Sequence, residues 1–435
     1  MGASARIGSS SGPGSVRADP FAAAAARLAA MPSDATDPTR VRHRRVAPRS
    51  AVAAVPVLLA LLLAACGATT VPAASTPDGS VVDPTISSVP PEGRTSLPED
   101  AVAPDRPLVT TAPDPAAFAA ADAAMGNRAT QGTNGGVLLV VREGTVLFDQ
   151  RYGGIDHDTT LAVASTSKWF TAATLMTLVD EGKLSLDEPI SRWLPAFDGK
   201  WADVTLRMLL SHTSGVRDQD CIWNTSSVLA DCVELLAAGP TEFAPGTAFS
   251  YGNAPYHVAA RLGEVVSGQD FQTLFTERIA EPLGLTATSW TGGGATRNPS
   301  PAASARTTVR DTERFLQMML AGGELDGRRI LRPDSVAEIE RNQVAGYDTS
   351  RDFAVNITRI PTYGLGTWRD VPDADDETVV VSGNGANGYY PWIDHANRAY
   401  GIVAVEDRRG AETAVPASKA VMDLAVIATA DGVAR

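Results

Sequence analysis

The chain has 435 residues, of which 44% are hydrophobic and 20% are charged, and its net charge at pH 7 is −13. This composition is that of a globular protein and excludes a wholly disordered, collagen-like or multi-span membrane chain. The acidic balance also argues against a nucleic-acid partner, since phosphate backbones are bound by an excess of lysine and arginine.

Cysteine, histidine and lysine are all scarce. The three cysteines and five histidines show no C-x-x-C, H-x-H or H-E-x-x-H spacing, so we expect neither a metal site nor a bound cofactor. Only four of the 37 basic residues are lysines, namely Lys168, Lys183, Lys200 and Lys419. Because arginine supplies nearly every cationic side chain in this chain, the four lysine positions are candidates for roles that arginine cannot fill.

The first predicted element is an export signal in residues 1–65. A run of fifteen apolar residues at 51–65 follows a stretch with five arginines between positions 40 and 49, and this order is typical of a signal peptide. A permanent transmembrane helix is the weaker alternative, because it needs about 20 apolar residues and Pro56 interrupts this run. Residues 1–40 are long for such a signal, so we expect translation to start at Met31 or Val41.

The apolar run ends in Leu-Ala-Ala-Cys66-Gly, which resembles the bacterial lipobox. The resemblance implies that Cys66 becomes the lipidated first residue and that a lipid anchor holds the protein to the membrane on its extracytoplasmic side. The alternative is a plain secretory signal with a chance cysteine. Residues 66–113 are predicted to be a tether, because positions 67–113 contain nine prolines and no aromatic residue and cannot offset their ordering entropy by burial.

Residues 114–435 are predicted to form one folded domain. Two strand pairs are expected, at 137–141 with 145–148 and at 389–394 with 400–406. Helical patterns lie between them, at 166–181, 204–211, 254–267 and 307–321. Strands at both ends enclosing helices predict an α/β (α+β) fold, with an antiparallel sheet built from the N- and C-terminal segments and flanked by helices. The middle of the chain would form an inserted, mainly helical subdomain, and a site would lie in the cleft between the two parts.

A serine and a lysine stand three residues apart at Ser165-Thr-Ser-Lys168. If they open a helix, one turn puts both side chains on the same face. A serine hydroxyl is a poor nucleophile until a base removes its proton, and an amine does this only when its pKa is lowered, whereas arginine keeps its charge. No other lysine follows a serine at this spacing. We identify Ser165 as the candidate nucleophile and Lys168 as the candidate base; the alternative is a solvated lysine on an ordinary helix.

The surrounding sequence resembles the serine β-lactamase and penicillin-binding protein superfamily, in the branch of class C β-lactamases, D-alanyl-D-alanine carboxypeptidases and related esterases. The matching stretches are 164–197, 204–215, 244–268 and 310–331. The resemblance implies that fold and a second motif, Tyr251-Gly-Asn253, in which Tyr251 shares the proton transfer with Lys168. As a phenolate Tyr251 would need a neighbouring cation, for which Lys168 is the candidate. Asn253 would hold the substrate or the lysine.

The third motif of that superfamily, usually K-T-G, H-x-G or W-G-G, is altered here. The corresponding positions are Gly383, Asn384 and Gly385, without lysine or histidine. β-Lactams and D-alanyl peptides carry a carboxylate, which is costly to bury without a partner cation, so this motif argues against both as substrates. Asn384 is expected to offer uncharged hydrogen bonds instead. The resemblance also implies an oxyanion hole made by the backbone N–H groups of Ser165 and Ala386.

Two cysteines follow shortly after His212-Thr-Ser-Gly. In an exported protein the two that remain after lipidation, Cys221 and Cys232, are expected to form a disulfide in preference to two free thiols. Trp223 in the same loop either overhangs the cleft or is an ordinary surface aromatic. His212 resembles an architectural histidine of the superfamily, because a general base would need an acidic partner and contact with Ser165.

Together these observations predict an exported, lipid-anchored serine hydrolase that acts through an acyl-enzyme on an ester or amide. The first alternative is a D-alanyl-D-alanine carboxypeptidase or β-lactamase. The second is a non-catalytic cell-wall or ligand-binding module with the same fold. The expected partner is a small molecule or a cell-wall peptide, and the sequence leaves the oligomeric state open.

Overall fold

The computed structural model describes residues 115–290, 297–350, 352–372 and 378–431. The predicted signal peptide, the lipidation site Cys66 and the tether lie outside the described residues, so these three remain predictions.

The α-helices of the described ranges are α1 (Ala119–Ala129), α2 (Ser167–Asp180), α3 (Leu206–Leu210), α4 (Leu229–Ala238), α5 (Ala254–Ser267), α6 (Phe271–Phe275), α7 (Glu281–Leu283), α8 (Val309–Leu320), α9 (Pro333–Glu340), α10 (Phe353–Thr358) and α11 (Ala411–Asp431). The strands are β1 (Gly135–Arg142), β2 (Thr145–Gly153), β3 (Leu161–Ala162), β4 (Arg306–Thr307), β5 (Glu324–Leu325), β6 (Arg328–Arg329), β7 (Trp368–Pro372), β8 (Thr378–Ser382), β9 (Tyr390–Asp394) and β10 (Ala399–Ala404).

The two ends of the domain meet in a six-stranded sheet with the order β2-β1-β10-β9-β8-β7. Every neighbouring pair is antiparallel. Strand β1 pairs along its length with β10, from Val137 opposite Ala404 to Arg142 opposite Ala399. The helices α2 to α10 are inserted between β3 and β7. The predicted sheet of N- and C-terminal segments with a mainly helical insertion is therefore confirmed.

Helices cover both faces of this sheet. Side chains alternate along a strand, and Val137, Leu139 and Val141 of β1 belong to the large core that also contains α2 and α8. On the opposite face, the guanidinium of Arg142 donates to the carbonyl of Thr429 on α11 at 3.3 Å. By length and hydropathy α11 would be able to cross a membrane, and half of its most apolar stretch is buried within the protein.

Helix α2 runs through the centre of the molecule. Twelve of its fourteen residues are buried, which is the pattern of a helix enclosed on all sides. Around it, Phe170 makes edge-on ring contacts with Phe275, Trp290 and Phe315. The N-terminal end of α2 adjoins the segment that follows β8, since the hydroxyl of Thr166 donates to the carbonyl of Gly383, and that end carries the predicted nucleophile and base.

Candidate active site

The predicted nucleophile lies on a tight turn at the start of α2. Ser165 is in the 3₁₀ turn Ala164–Thr166, which runs directly into the helix. Ala164 has a φ of +45°, a left-handed conformation that is unfavourable for a residue with a Cβ. Strain of this kind costs about 1–3 kcal/mol and is concentrated at functional sites. The turn leaves Ser165 only half-buried, so its hydroxyl remains accessible.

The side chain of Lys168 is completely buried beside this serine. Its Nζ lies 3.2 Å from each of three oxygens: Ser165 Oγ, Asn253 Oδ1 and the carbonyl of Ala302. Burial lowers the pKa of Lys168 to about 7, although the negative charge of Asp218 acts in the opposite direction. A substantial share of the lysine is therefore a neutral amine near neutral pH.

The three neighbours of Nζ match the hydrogen-bonding capacity of a neutral amine. Such an amine has two N–H groups and one lone pair. The carbonyl of Ala302 and Oδ1 of Asn253 are acceptors, and they use the two N–H groups. The lone pair then faces the hydroxyl of Ser165, which can donate. The arrangement is suited to removing the proton from Ser165.

Tyr251 completes the cluster. Its ring stacks on Trp368 with centroids 5.1 Å apart, Nζ of Lys168 lies 4.6 Å from its ring centroid, and the side chains of Ser165 and Trp368 act to lower its pKa. Burial raises the pKa of Tyr251 well above its ordinary value of 10. Tyr251 is therefore a phenol at neutral pH and not a phenolate, because desolvation of the buried hydroxyl is the largest influence on its pKa.

Two carboxylates hold the loop that carries Tyr251 and Asn253. The N–H of Tyr251 donates to Asp352 Oδ2 at 2.8 Å, and the N–H of Asn253 donates to Asp218 Oδ1 at 2.8 Å. Sequence reasoning missed both aspartates. Asp352 precedes a short helix as its N-cap, a recognisable local signal, but nothing local connects it with a tyrosine 101 residues earlier.

His212 packs against the same loop. Its ring centroid lies 4.4 Å from that of Tyr251, and the N–H of Gly252 donates to its Nδ1 at 3.4 Å. Burial and the nearby Lys168 lower the pKa of His212 well below its ordinary value. The ring is therefore neutral and packed, which fits an architectural role and not that of a general base.

The backbone of the altered third motif packs directly against the turn that carries Ser165. The sheet ladder continues past β8, since the N–H groups of Gly383 and Gly385 donate to carbonyls of the facing strand at 3.0 and 2.8 Å. A Cβ at Gly385 would lie 2.2 Å from the carbonyl oxygen of Val163, and one at Gly383 would lie 2.8 Å from the ring of Trp169. Glycine is required at both positions because the chain passes so close to the start of α2.

Asn384 lies between these two glycines and is only 5% exposed. Its Nδ2 has no hydrogen-bond partner among the described residues, and its role as an uncharged donor to the substrate stays a prediction. The backbone remains available, since Ala386 is exposed and, within the described residues, neither its N–H nor that of Ser165 donates to a backbone carbonyl.

Cys221 and Cys232 form a disulfide with their Cα atoms 5.3 Å apart. The bond connects the loop after His212 to α4. Trp223 in that loop is 60% exposed, and the ring contacts of the described residues do not include it. In the part of the chain that the structure describes, no cluster of His, Cys, Asp or Glu is able to hold a metal ion.

The fold and the cluster of Ser165, Lys168 and Tyr251 define a serine hydrolase of the β-lactamase-related class. The model of the Beta-lactamase family matches residues 117–425, and the chain belongs to this family.

Two curated relatives match part of the chain. Esterase EstB of Burkholderia gladioli is 31% identical over 180 residues, which cover 35% of this chain and 45% of that protein. Protein flp of Staphylococcus aureus (strain N315) is 28% identical over 172 residues, which cover 36% of this chain and 34% of that protein. The matched region thus spans less than half the length of each of these relatives.

Solved structures match more completely. A protein from Bacteroides dorei DSM 17855 that is described as a candidate β-lactamase is 32% identical with a TM-score of 0.65, covering 70% of this chain and 97% of that chain. EstCE1, a hydrolase with promiscuous acyltransferase activity, has a TM-score of 0.59 at 20% identity and covers 71% of this chain and 98% of its own. At that identity the similarity to EstCE1 shows the fold alone.

Proposed function

We propose that this protein is an exported serine hydrolase that cleaves an ester or amide through an acyl-enzyme on Ser165. The observation that carries the proposal is the environment of Lys168. Its buried Nζ faces two acceptors and one hydroxyl at 3.2 Å, and burial lowers its pKa to about 7. This is the state that a general base requires at neutral pH.

In the proposed mechanism Lys168 removes the proton of Ser165 as Oγ attacks the carbonyl carbon of the substrate. The N–H groups of Ser165 and Ala386 stabilise the oxyanion, a contribution for which each donor typically counts about 3–4 kcal/mol. Tyr251, which burial keeps protonated, donates its proton to the leaving oxygen or nitrogen and is reprotonated from Lys168. Water then attacks the acyl-enzyme while Lys168 accepts its proton, and Lys168 passes that proton to Oγ of Ser165 as the acid product leaves.

The substrate is proposed to be uncharged around the scissile bond, either a small molecule or a neutral part of a cell-wall peptide. No cationic side chain hydrogen-bonds residues 383–386 within the described ranges, and the protein as a whole is acidic. A substrate carboxylate would have to lose its water there without compensation. This favours an esterase or amidase over a carboxypeptidase or β-lactamase, and the name of the relative EstB agrees with esterase chemistry.

The test uses the full-length protein with three probes: a fluorophosphonate, a labelled penicillin and short-chain p-nitrophenyl esters. We expect fluorophosphonate labelling and ester turnover in the wild type and neither in Ser165→Ala. Ser226→Ala, at an exposed position, serves as the matched control and should behave as the wild type. If no activity depends on Ser165, the proposal fails and the non-catalytic alternative stands. Penicillin labelling without ester turnover would instead favour the β-lactamase alternative.

The location is a separate proposal that rests on the sequence around Cys66. Lipidation there would attach the hydrolase to the extracytoplasmic face of the membrane through the tether. Cys66→Ala should move the protein from the membrane fraction to the soluble fraction after cell lysis. If wild type and variant fractionate alike, the lipid anchor is refuted without affecting the proposed chemistry.

A further inference from the structure

Asp218 makes three short hydrogen bonds at the edge of the candidate active site. Its Oδ1 accepts from the N–H groups of Asn253 and Ala254 at 2.8 and 2.6 Å, and its Oδ2 accepts from Nδ2 of Asn253 at 3.0 Å. The two backbone N–H groups belong to the N-cap and the first residue of α5, where the helix dipole also favours a negative charge. The carboxylate thus grips both the backbone and the side chain of Asn253.

The charge state of Asp218 fixes which way round the Asn253 amide lies. An ionised carboxylate only accepts hydrogen bonds, so the NH₂ group of Asn253 must face it. The amide oxygen is then turned toward Lys168, where Oδ1 lies 3.2 Å from Nζ. With the amide reversed, Nδ2 would face the amine of Lys168, and two donors would meet. The orientation that Lys168 requires is therefore set by Asp218.

The segment that carries Asp218 is tied to α4 on both sides of it. Val216 forms a β-bridge with Thr241, just past the end of α4. Gln219 Nε2 donates to the carbonyl of Leu235 at 3.3 Å. Three residues beyond Asp218, Cys221 is joined to α4 by the disulfide. The carboxylate is thus held on a braced segment, and the disulfide has a place in the site as part of that bracing.

We propose that Asp218 is a positioning residue, which orients the amide of Asn253 toward Lys168 and supplies the carboxylate whose charge acts on that lysine. Its effect on turnover rests on the proposed function, whereas its effect on Lys168 can be measured without turnover.

The structure describes several ionisable groups around Lys168, and among them Asp218 is the one with a negative charge. Burial lowers the pKa of His212 well below its ordinary value and that of His257 to about 4, so both rings are neutral at pH 7. The rings of Tyr251 and Tyr256 face Nζ, and burial raises the pKa of both phenols. Attraction by Asp218 keeps Lys168 from becoming neutral at still lower pH.

Because the chain has few lysines, the effect of Asp218 on the pKa of Lys168 can be measured directly. Protein labelled with ¹³C at the lysine ε-carbons contains four such residues, and the signal of Lys168 is assigned by its loss in Lys168→Met. In the wild type we expect a titration midpoint near pH 7. In Asp218→Asn we expect the midpoint to fall by at least about 0.5 pH units, because the attracting charge has gone.

The matched control is Asp352→Asn, which alters the other aspartate that holds the loop and should leave the Lys168 midpoint in place. A reciprocal exchange of the two residues should shift the Lys168 midpoint in the opposite direction. In Asp218→Asn combined with Asn253→Asp, donor and acceptor are swapped and a carboxylate faces Lys168 directly, so the midpoint should rise above that of the wild type.

If turnover is present, Asp218→Asn should lower kcat by about tenfold or more with little change in KM. The ascending part of its pH–activity profile should lie at a lower pH than that of the wild type. A folded Asp218→Asn protein with an unchanged midpoint and kcat within threefold of the wild type would overturn the proposal. A wild type without turnover but with the expected midpoint shifts would refute the proposed function and leave the role of Asp218 intact.

Discussion

Replacing Lys168 with methionine should abolish activity and stabilise the folded protein. The gain in stability should depend on pH. Burial lowers the pKa of Lys168 from 10.5 to about 7. Between these values the unfolded chain binds more protons than the folded one, so the free energy of unfolding rises with pH. Each pKa unit corresponds to about 1.4 kcal/mol. Burying this lysine therefore opposes folding by about 4 kcal/mol at pH 7, about 2 kcal/mol at pH 9, and less than about 0.5 kcal/mol at pH 10.5.

Methionine has a similar length and no charge, so Lys168→Met removes this cost. It also leaves the acceptors of Asn253 and Ala302 without their donor, which costs about 1 kcal/mol each. We expect a net gain of about 2 kcal/mol at pH 7 and almost none at pH 9. The difference of about 2 kcal/mol between the two pH values is the sharper quantity, because the hydrogen-bond loss is the same at both.

The assay is urea unfolding followed by the fluorescence of the seven tryptophans, for wild type and variant at pH 7 and pH 9. The control is Lys183→Met, at an exposed lysine that forms a surface ion pair with Glu181. This control should change stability by no more than about 1 kcal/mol. If the advantage of Lys168→Met does not shrink between pH 7 and pH 9, the lysine is charged in the folded protein. Its role as a base at neutral pH is then refuted.

Three further predictions concern the other parts of the site. Tyr251→Phe should lower kcat by about a hundredfold on alkyl esters but much less on p-nitrophenyl esters, whose leaving group needs no proton; equal losses on both would contradict a proton-donating role. Gly385→Ala should fold, as judged by circular dichroism, yet lose most turnover, because its Cβ would lie 2.2 Å from the carbonyl of Val163; full activity would show that this backbone is not part of the site. Replacing Cys221 and Cys232 with serine should lower the free energy of unfolding by about 3 kcal/mol for a separation of eleven residues, and unchanged thermal unfolding would count against a structural disulfide.

The sequence located the central helices because their local signals are strong. Predicted helices at 166–181 and 307–321 correspond to α2 (Ser167–Asp180) and α8 (Val309–Leu320), each followed by glycine with positive φ. The edge strand β7, its neighbour β8 and the C-terminal helix α11 were not predicted. Short strands derive their stability from neighbours distant in the chain, and α11 is apolar without a clear amphipathic period.

The candidate site was only partly readable from the sequence. Ser165 and Lys168 were found because helix geometry links residues three apart. Tyr251 came from the resemblance to a family, since no local rule connects it with Ser165. Asp218 emerged only from the structure. The role expected for the side chain of Asn384 stays a prediction.

The sequence by itself determined the chemical types: a serine with an amine one turn away, a tyrosine motif, and glycines where the family's cation would stand. Only the tertiary structure decided their states. Lys168 has a pKa of about 7 because segments far apart in the chain bury it beside Asn253 and Ala302, and this burial outweighs the opposing attraction of Asp218. Tyr251 is a phenol for the same reason. Protonation depends on desolvation and neighbouring charge, and both quantities exist only once the chain is folded.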